Sequence, residues 1–193
     1  MPAITVSIGA IALGPGYLYW APLLTAVPTN TVAGSVFTDA WPGAWLPFGA
    51  TDDGSEFSYK PNTDPVEVAE YPGPIAIIST SRDIEITFDL ANVHATNLKR
   101  ALNGGTISTS GAGATLLSEY SPPAIGAEVS CMVGWESLDN TERCVIYQAM
   151  QTGEVKTSRK KGAAKATLPV TFTAQEISGG YPFKQWFAGT ARG

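Results

Sequence analysis

Arg82-Asp83-Ile84-Glu85-Ile86-Thr87-Phe88-Asp89-Leu90 alternates polar and apolar residues at every step. Successive side chains of a strand point to opposite faces, so Ile84, Ile86, Phe88 and Leu90 share one face. Asp83, Glu85, Thr87 and Asp89 share the other. The pattern predicts an antiparallel strand with one side on a core and one side wet. Similar patterns predict strands at 17–24, 45–50, 55–60, 66–70, 128–136, 143–150 and 166–174. In the last of these Leu168, Val170, Phe172 and Ala174 form the apolar side. Pro169 falls on the opposite parity, and its missing N–H predicts an edge or a strand end there.

The stretch 128–150 reads as a hairpin turning at Asp139-Asn140. That register sets Glu136 opposite Arg143, a favourable cross-strand pair. It sets Cys144 against Trp135 and Cys131 against Gln148, too far apart for the two cysteines to bridge. A two-residue slip would bring them together; buried, reduced thiols are the preferred reading. One helix is predicted over 93–102. Asn92 is its N-cap, and Ala95, Leu98, Ala101 and Leu102 lie on one side. Lys99 and Arg100 complement the dipole in its last turns, and Gly104-Gly105 ends it.

Three stretches are irregular. The loop 25–44 carries Val36, Phe37 and Trp41 among Pro, Gly and Thr, and reads as too broken for a core element. The stretch 71–80, with Pro72-Gly73-Pro74, reads as a turn or corner. The stretch 151–165 holds Lys156, Arg159, Lys160, Lys161 and Lys165. It is either a solvated loop or a dock for an acidic patch on a neighbour. The C-terminal Tyr181, Phe183, Trp186 and Phe187 need burial, against the chain's own core or against a neighbour.

The chain of 193 residues is expected to form one domain over 1–193, with a long loop at about 25–44 and a C-terminal arm at about 176–193. Only 15% of its residues are charged, against roughly 25% in a typical soluble chain. This fits an ordinary β-protein, or one whose surface is covered by other subunits. The net charge of −5 disfavours ordinary nucleic-acid binding. The apolar N-terminus is broken by Gly and Pro and lacks a basic region, so neither a signal peptide nor a membrane span is expected, and synthesis in the cytoplasm follows.

Signs of catalysis are few. One histidine, His94, and two isolated cysteines leave little for a Ser–His or Cys–His arrangement. No nucleotide loop is present. The stretch Thr51-Asp52-Asp53-Gly54-Ser55-Glu56 lacks the spacing of a calcium loop. No cofactor and no metal are expected. The enzyme alternative is a β-sandwich glycosidase using Glu85 with Asp89, or Glu128 with Glu136.

Gly49-Ala50-Thr51-Asp52-Asp53-Gly54 is followed by a strand and then by Asp64-Pro65-Val66-Glu67-Val68-Ala69-Glu70. Thr80-Ser81-Arg82 then leads into the alternating strand and the helix, and Leu168-Pro169-Val170-Thr171-Phe172 comes late. In order and spacing these pieces resemble the major tail protein family of long-tailed siphophages. The resemblance covers about a third to two-fifths of the chain. It implies a mainly β fold, an antiparallel β-sandwich or half-barrel with one flanking α-helix. It implies no enzyme, but a structural subunit forming hexameric rings that stack into a tail tube for DNA ejection. The implied partners are further copies of the chain, the tape measure protein, the tail terminator and distal tail proteins, and DNA passing without specific binding. The implied location is the virion tail.

Within that frame Asp83, Glu85, Asp89 and, less directly, Glu67 and Glu70 are expected to line the lumen, where acids repel phosphates. Outside solvent is the alternative setting for them. Val36, Phe37, Trp41, Trp186 and Phe187 are the expected contacts between subunits. The remaining alternatives are a ring-forming protein of a contractile tail or secretion tube, a tail terminator, and a glycan-binding or glycan-cleaving β-sandwich.

Overall fold

The computed structural model describes residues 15–157 and 166–189. Its strands are β1 (Gly16–Pro22), β2 (Val32–Ala33), β3 (Val36–Phe37), β4 (Leu46–Pro47), β5 (Thr51–Val66) and β6 (Ala76–Leu90). After the helix α1 (Ala95–Ala101) come β7 (Thr106–Ser110), β8 (Leu117–Ser121), β9 (Cys131–Ser137), β10 (Glu142–Gln151), β11 (Leu168–Ala174) and β12 (Phe183–Phe187). The main sheet runs β4-β1-β9-β10-β11-β6-β5, with β12 also on β10, and every pairing is antiparallel. The fold is therefore mainly β with one α-helix among the described residues.

The alternating stretch behaves as its pattern predicts. Ile84, Ile86, Phe88 and Leu90 are buried; Asp83 and Thr87 are exposed, and Glu85 and Asp89 half-buried. Ile86, Phe88 and Leu90 join Leu18, Val133 and Ile146, from the other half of the same sheet, in one core. A flat sheet cannot bring its two halves into contact, so this one curls on itself. Phe48 closes the gap, its ring 5.1 Å from Phe88 and 5.7 Å from Phe172. Pro169 pairs with Asp89 of β6, while β10 meets β11 only at Phe172, Thr173 and Ala174. The proline thus sits where its strand has one ladder neighbour, as its missing N–H requires.

The β9–β10 hairpin has the predicted register at its turn: Glu136 faces Arg143 and Cys144 faces Trp135. A bulge after Ile146 then sets Cys131 opposite Ala149 in place of Gln148. Both thiols are free and buried. Burial pushes each up to about 12.

Several expectations are corrected. The predicted strands at 55–60 and 66–70 are replaced by one 16-residue strand running through Pro61 and Pro65. It tolerates both prolines because it ends the sheet and has no second neighbour, among the described residues, to supply with N–H donors. The strand expected at 45–50 shrinks to two residues. The helix is shorter than 93–102; His94, not Asn92, holds the cap position, with no side-chain cap bond. Its buried residues are Asn97, Arg100 and Ala101. Asn97 Nδ2 donates to the carbonyls of Phe48 and Asn92, and Arg100 Nη1 to that of Pro47. Polar side chains stitch the helix to the strand preceding β5, which hydropathy alone does not reveal. The β7–β8 hairpin, rich in Ser and Thr, was not expected either.

Because ionisation of these buried thiols is suppressed, the folded protein is expected to react negligibly with a disulfide reagent at pH 8 and both cysteines to react once unfolded. Thiol titration with and without guanidinium checks this.

Candidate assembly interface

β5 and β6 together form an arm. Strands usually run roughly 3–10 residues, whereas these have 16 and 15. Near the sheet the arm is held: Phe57 and Tyr59 pack on Phe183, and Arg82 forms a two-bonded pair with Glu176, at 2.6 Å and 3.0 Å. From Glu70 through Asp83 every residue is exposed. Thr80 is an extra residue in the ladder, between the Asn62–Ser81 and Thr63–Ser79 pairs. Such a bulge bends a strand and resets which face its side chains take. Beyond it Tyr71, Ile75, Ile77 and Ile78 are each more than half exposed. Four large apolar side chains at the end of a projecting arm are not the scattered surface residues of an ordinary monomer.

The polar face of the sheet lies at the arm's root. Cross-strand pairing sets Lys60 beside Asp83, Ser58 beside Glu85 and Glu56 beside Thr87. On the other side Thr173 flanks Glu85, Thr171 flanks Thr87 and Pro169 flanks Asp89. Asp83, Glu85 and Asp89 therefore share one face with small hydroxyl side chains. Glu67 and Glu70 are not part of it. They belong to the turn at the arm's tip, because β5 ends at Val66. No group of three or more His, Cys, Asp or Glu is gathered for a metal among the described residues. Glu136, one of the acids of the glycosidase alternative, is committed to Arg143 and Trp41. No helix among the described residues is long and apolar enough to cross a membrane.

This arrangement is the setting for the comparison with known sequences. The family model described as phage tail tube protein matches residues 9–191. The chain belongs to that family. No curated protein matches it in sequence. Membership makes the chain a structural component of a phage tail that assembles with itself into a tube.

The aromatic residues expected at subunit contacts lie mostly within the chain's own packing. Phe37 is buried. Trp41 stacks on Tyr19 at 4.4 Å, meets Trp45 edge-on at 4.8 Å and donates its indole N–H to Glu136 at 2.8 Å. Trp186 packs against a second core of Ala21, Trp45, Met132 and Val145. β12 pairs with β10, so Trp186 and Phe187 lie on a strand of the sheet. Val36 is half-buried and Phe187 nearly half exposed. The loop 25–44, read from sequence as too broken for a core, instead covers the second face of β1, β9 and β10. The rest of the basic run, 158–165, the first 14 residues and residues 190–193 lie outside the described residues.

One glycine makes this cover possible. A Cβ on Gly134 would sit 2.5 Å from the Trp41 ring and 3.0 Å from Trp45. Gly134→Ala is expected to lift the loop and destabilise the fold by about 1–3 kcal/mol; denaturant unfolding with tryptophan fluorescence measures both effects. The sequence reading expects deletion of 29–41 to leave the domain folded and to stop polymerisation. In the structure that deletion removes Phe37, Trp41 and the Asp39 carbonyl that accepts from Arg143, so a loss of stability is the expected outcome.

Proposed function

We propose that the chain is the repeating subunit of a bacteriophage tail tube, assembling into hexameric rings that stack to form the conduit for DNA ejection. It has no catalytic role. The observation that carries the reading is the arm, whose tip leaves Tyr71, Ile75, Ile77 and Ile78 bare in a single chain. Burial drives association at roughly 25 cal/mol per Å² of apolar surface, so a second copy covering this tip is favoured. The sheet's two ends support the same reading. β5 has no outer partner among the described residues, and β4 covers β1 only at Tyr19 and Trp20. Pairing such edges around a ring removes a liability in every copy.

In this reading Asp83, Glu85 and Asp89 face the lumen with the hydroxyl-bearing residues beside them. Six copies at −5 each give about −30 per ring, so phosphates are repelled and DNA slides without adhering. Glu67, at the tip of the arm, belongs to a contact between subunits. The tape measure protein occupies the lumen before ejection, and the tail terminator and distal tail proteins close the two ends. The subunit is made in the host cytoplasm and resides in the siphophage virion.

Negative-stain microscopy of the purified protein is expected to show hollow tubes or stacked rings; a persistent monomer at high concentration would reject the proposal. The lumen assignment has its own test. In tubes of an Asp83→Cys variant, a small maleimide should label the new thiol and a maleimide on a large polymer should not. Equal labelling by both would place Asp83 on the outside.

A further inference from the structure

A cavity of about 430 Å³ opens beside the helix, lined by Trp20, Leu46, Thr96, Lys99, Ile107 and Val129, with Arg100 and Cys131 in its wall. Its lining is mostly apolar, and Leu46 and Val129 are exposed. Its charged members are both cations. Lys99 is exposed on the rim. Arg100 is only 8% exposed, its guanidinium 5.4 Å from the Trp20 ring and 5.3 Å from that of Phe48. No carboxylate pairs with it among the described residues. Among the described residues its guanidinium donates from Nη1, to the Pro47 carbonyl and Asn97 Oδ1. Burial lowers its affinity for the proton. A buried cation of this kind gains most from an anion delivered together with an apolar plug that excludes water.

We propose that this cavity receives the tip of the β5–β6 arm from a second copy of the chain. The tip has the complementary chemistry. Glu67 and Glu70 are its only charged residues between Val66 and Arg82, and Tyr71, Ile75, Ile77 and Ile78 surround them. The isoleucines fill the space between Trp20, Ile107 and Val129, and a tip carboxylate approaches Lys99 and Arg100. Arm and cavity are different patches of one surface, so each copy offers one of each. A contact of that kind is head-to-tail, and it builds a ring or a filament according to the rotation between copies. This inference rests on the tube reading and names the partner surface for the arm.

The test is cross-linking in assembled tubes. Subunits carrying Ile77→Cys are mixed with subunits carrying Thr96→Cys, assembled, oxidised and run on a non-reducing gel. A dimer band that needs both variants is expected. Normal tubes without that band overturn the pairing and leave the tube reading intact. A monomer that never assembles, in the unsubstituted chain, overturns the tube reading and the pairing with it. A second pair of variants covers the case in which the cysteine subunits do not assemble. Lys99→Glu is expected to keep its melting temperature and lose assembly, and adding Glu70→Lys to the same chain to restore it. Undiminished assembly of Lys99→Glu, or no rescue by Glu70→Lys, counts against the proposal.

Discussion

The Glu136–Arg143 pair is the constraint on which the rest of the molecule depends. Both side chains are almost fully removed from water, and two guanidinium nitrogens converge on Glu136 Oε1, each at 2.6 Å. Buried charges persist only when every polar atom is satisfied. Here the remaining partners come from the loop 25–44: the Trp41 indole on Oε2, and Asn30 and the Asp39 carbonyl on the guanidinium. The Arg143 guanidinium also lies 4.8 Å from the Phe37 ring. The ion pair fixes the hairpin register and holds an irregular loop in place as a second layer. A loop that sequence alone would release to solvent is thereby tied to the centre of the sheet.

How much of this is legible in the sequence depends on where the information resides. Period-two alternation is local, so the 82–90 strand, its buried face and the Glu136–Arg143 register can all be read from nearby residues. The burial of β9 on both faces cannot. Its second cover arrives from about a hundred residues upstream, through Trp41, and the only local sign is a glycine at position 134. The arm was concealed for a different reason. Pro61 and Pro65 read as interruptions because a proline inside a sheet usually ends a strand. On the outermost strand it does not, and the acids at 67 and 70 pass from a presumed strand face to the tip.

The helix shows a third kind of concealment. Its hydropathy pattern points Leu98 and Ala101 inward, correctly in part, yet Asn97 and Arg100 do more to anchor it. Each is accepted into the interior because backbone carbonyls of the 47–48 segment meet it. Such a pairing is a tertiary fact with no counterpart in sequence spacing. The cavity beside Arg100 belongs to the same arrangement, since the guanidinium is held through Nη1 by the Pro47 carbonyl and Asn97 Oδ1 while the residue lines the cavity wall.

The prolines of β5 bear on the life of the subunit before assembly. An outer strand of 16 residues is a template that any extended peptide can extend. Pro61 and Pro65 each delete a donor from it, the first opposite Arg82 at the root of the arm and the second opposite Ile77 further out. A stray strand from an unfolded chain therefore finds a broken row of hydrogen bonds there. A properly folded copy can instead recognise side chains on the same arm. The prolines thus weaken backbone pairing along the outer strand and leave recognition between copies to side chains.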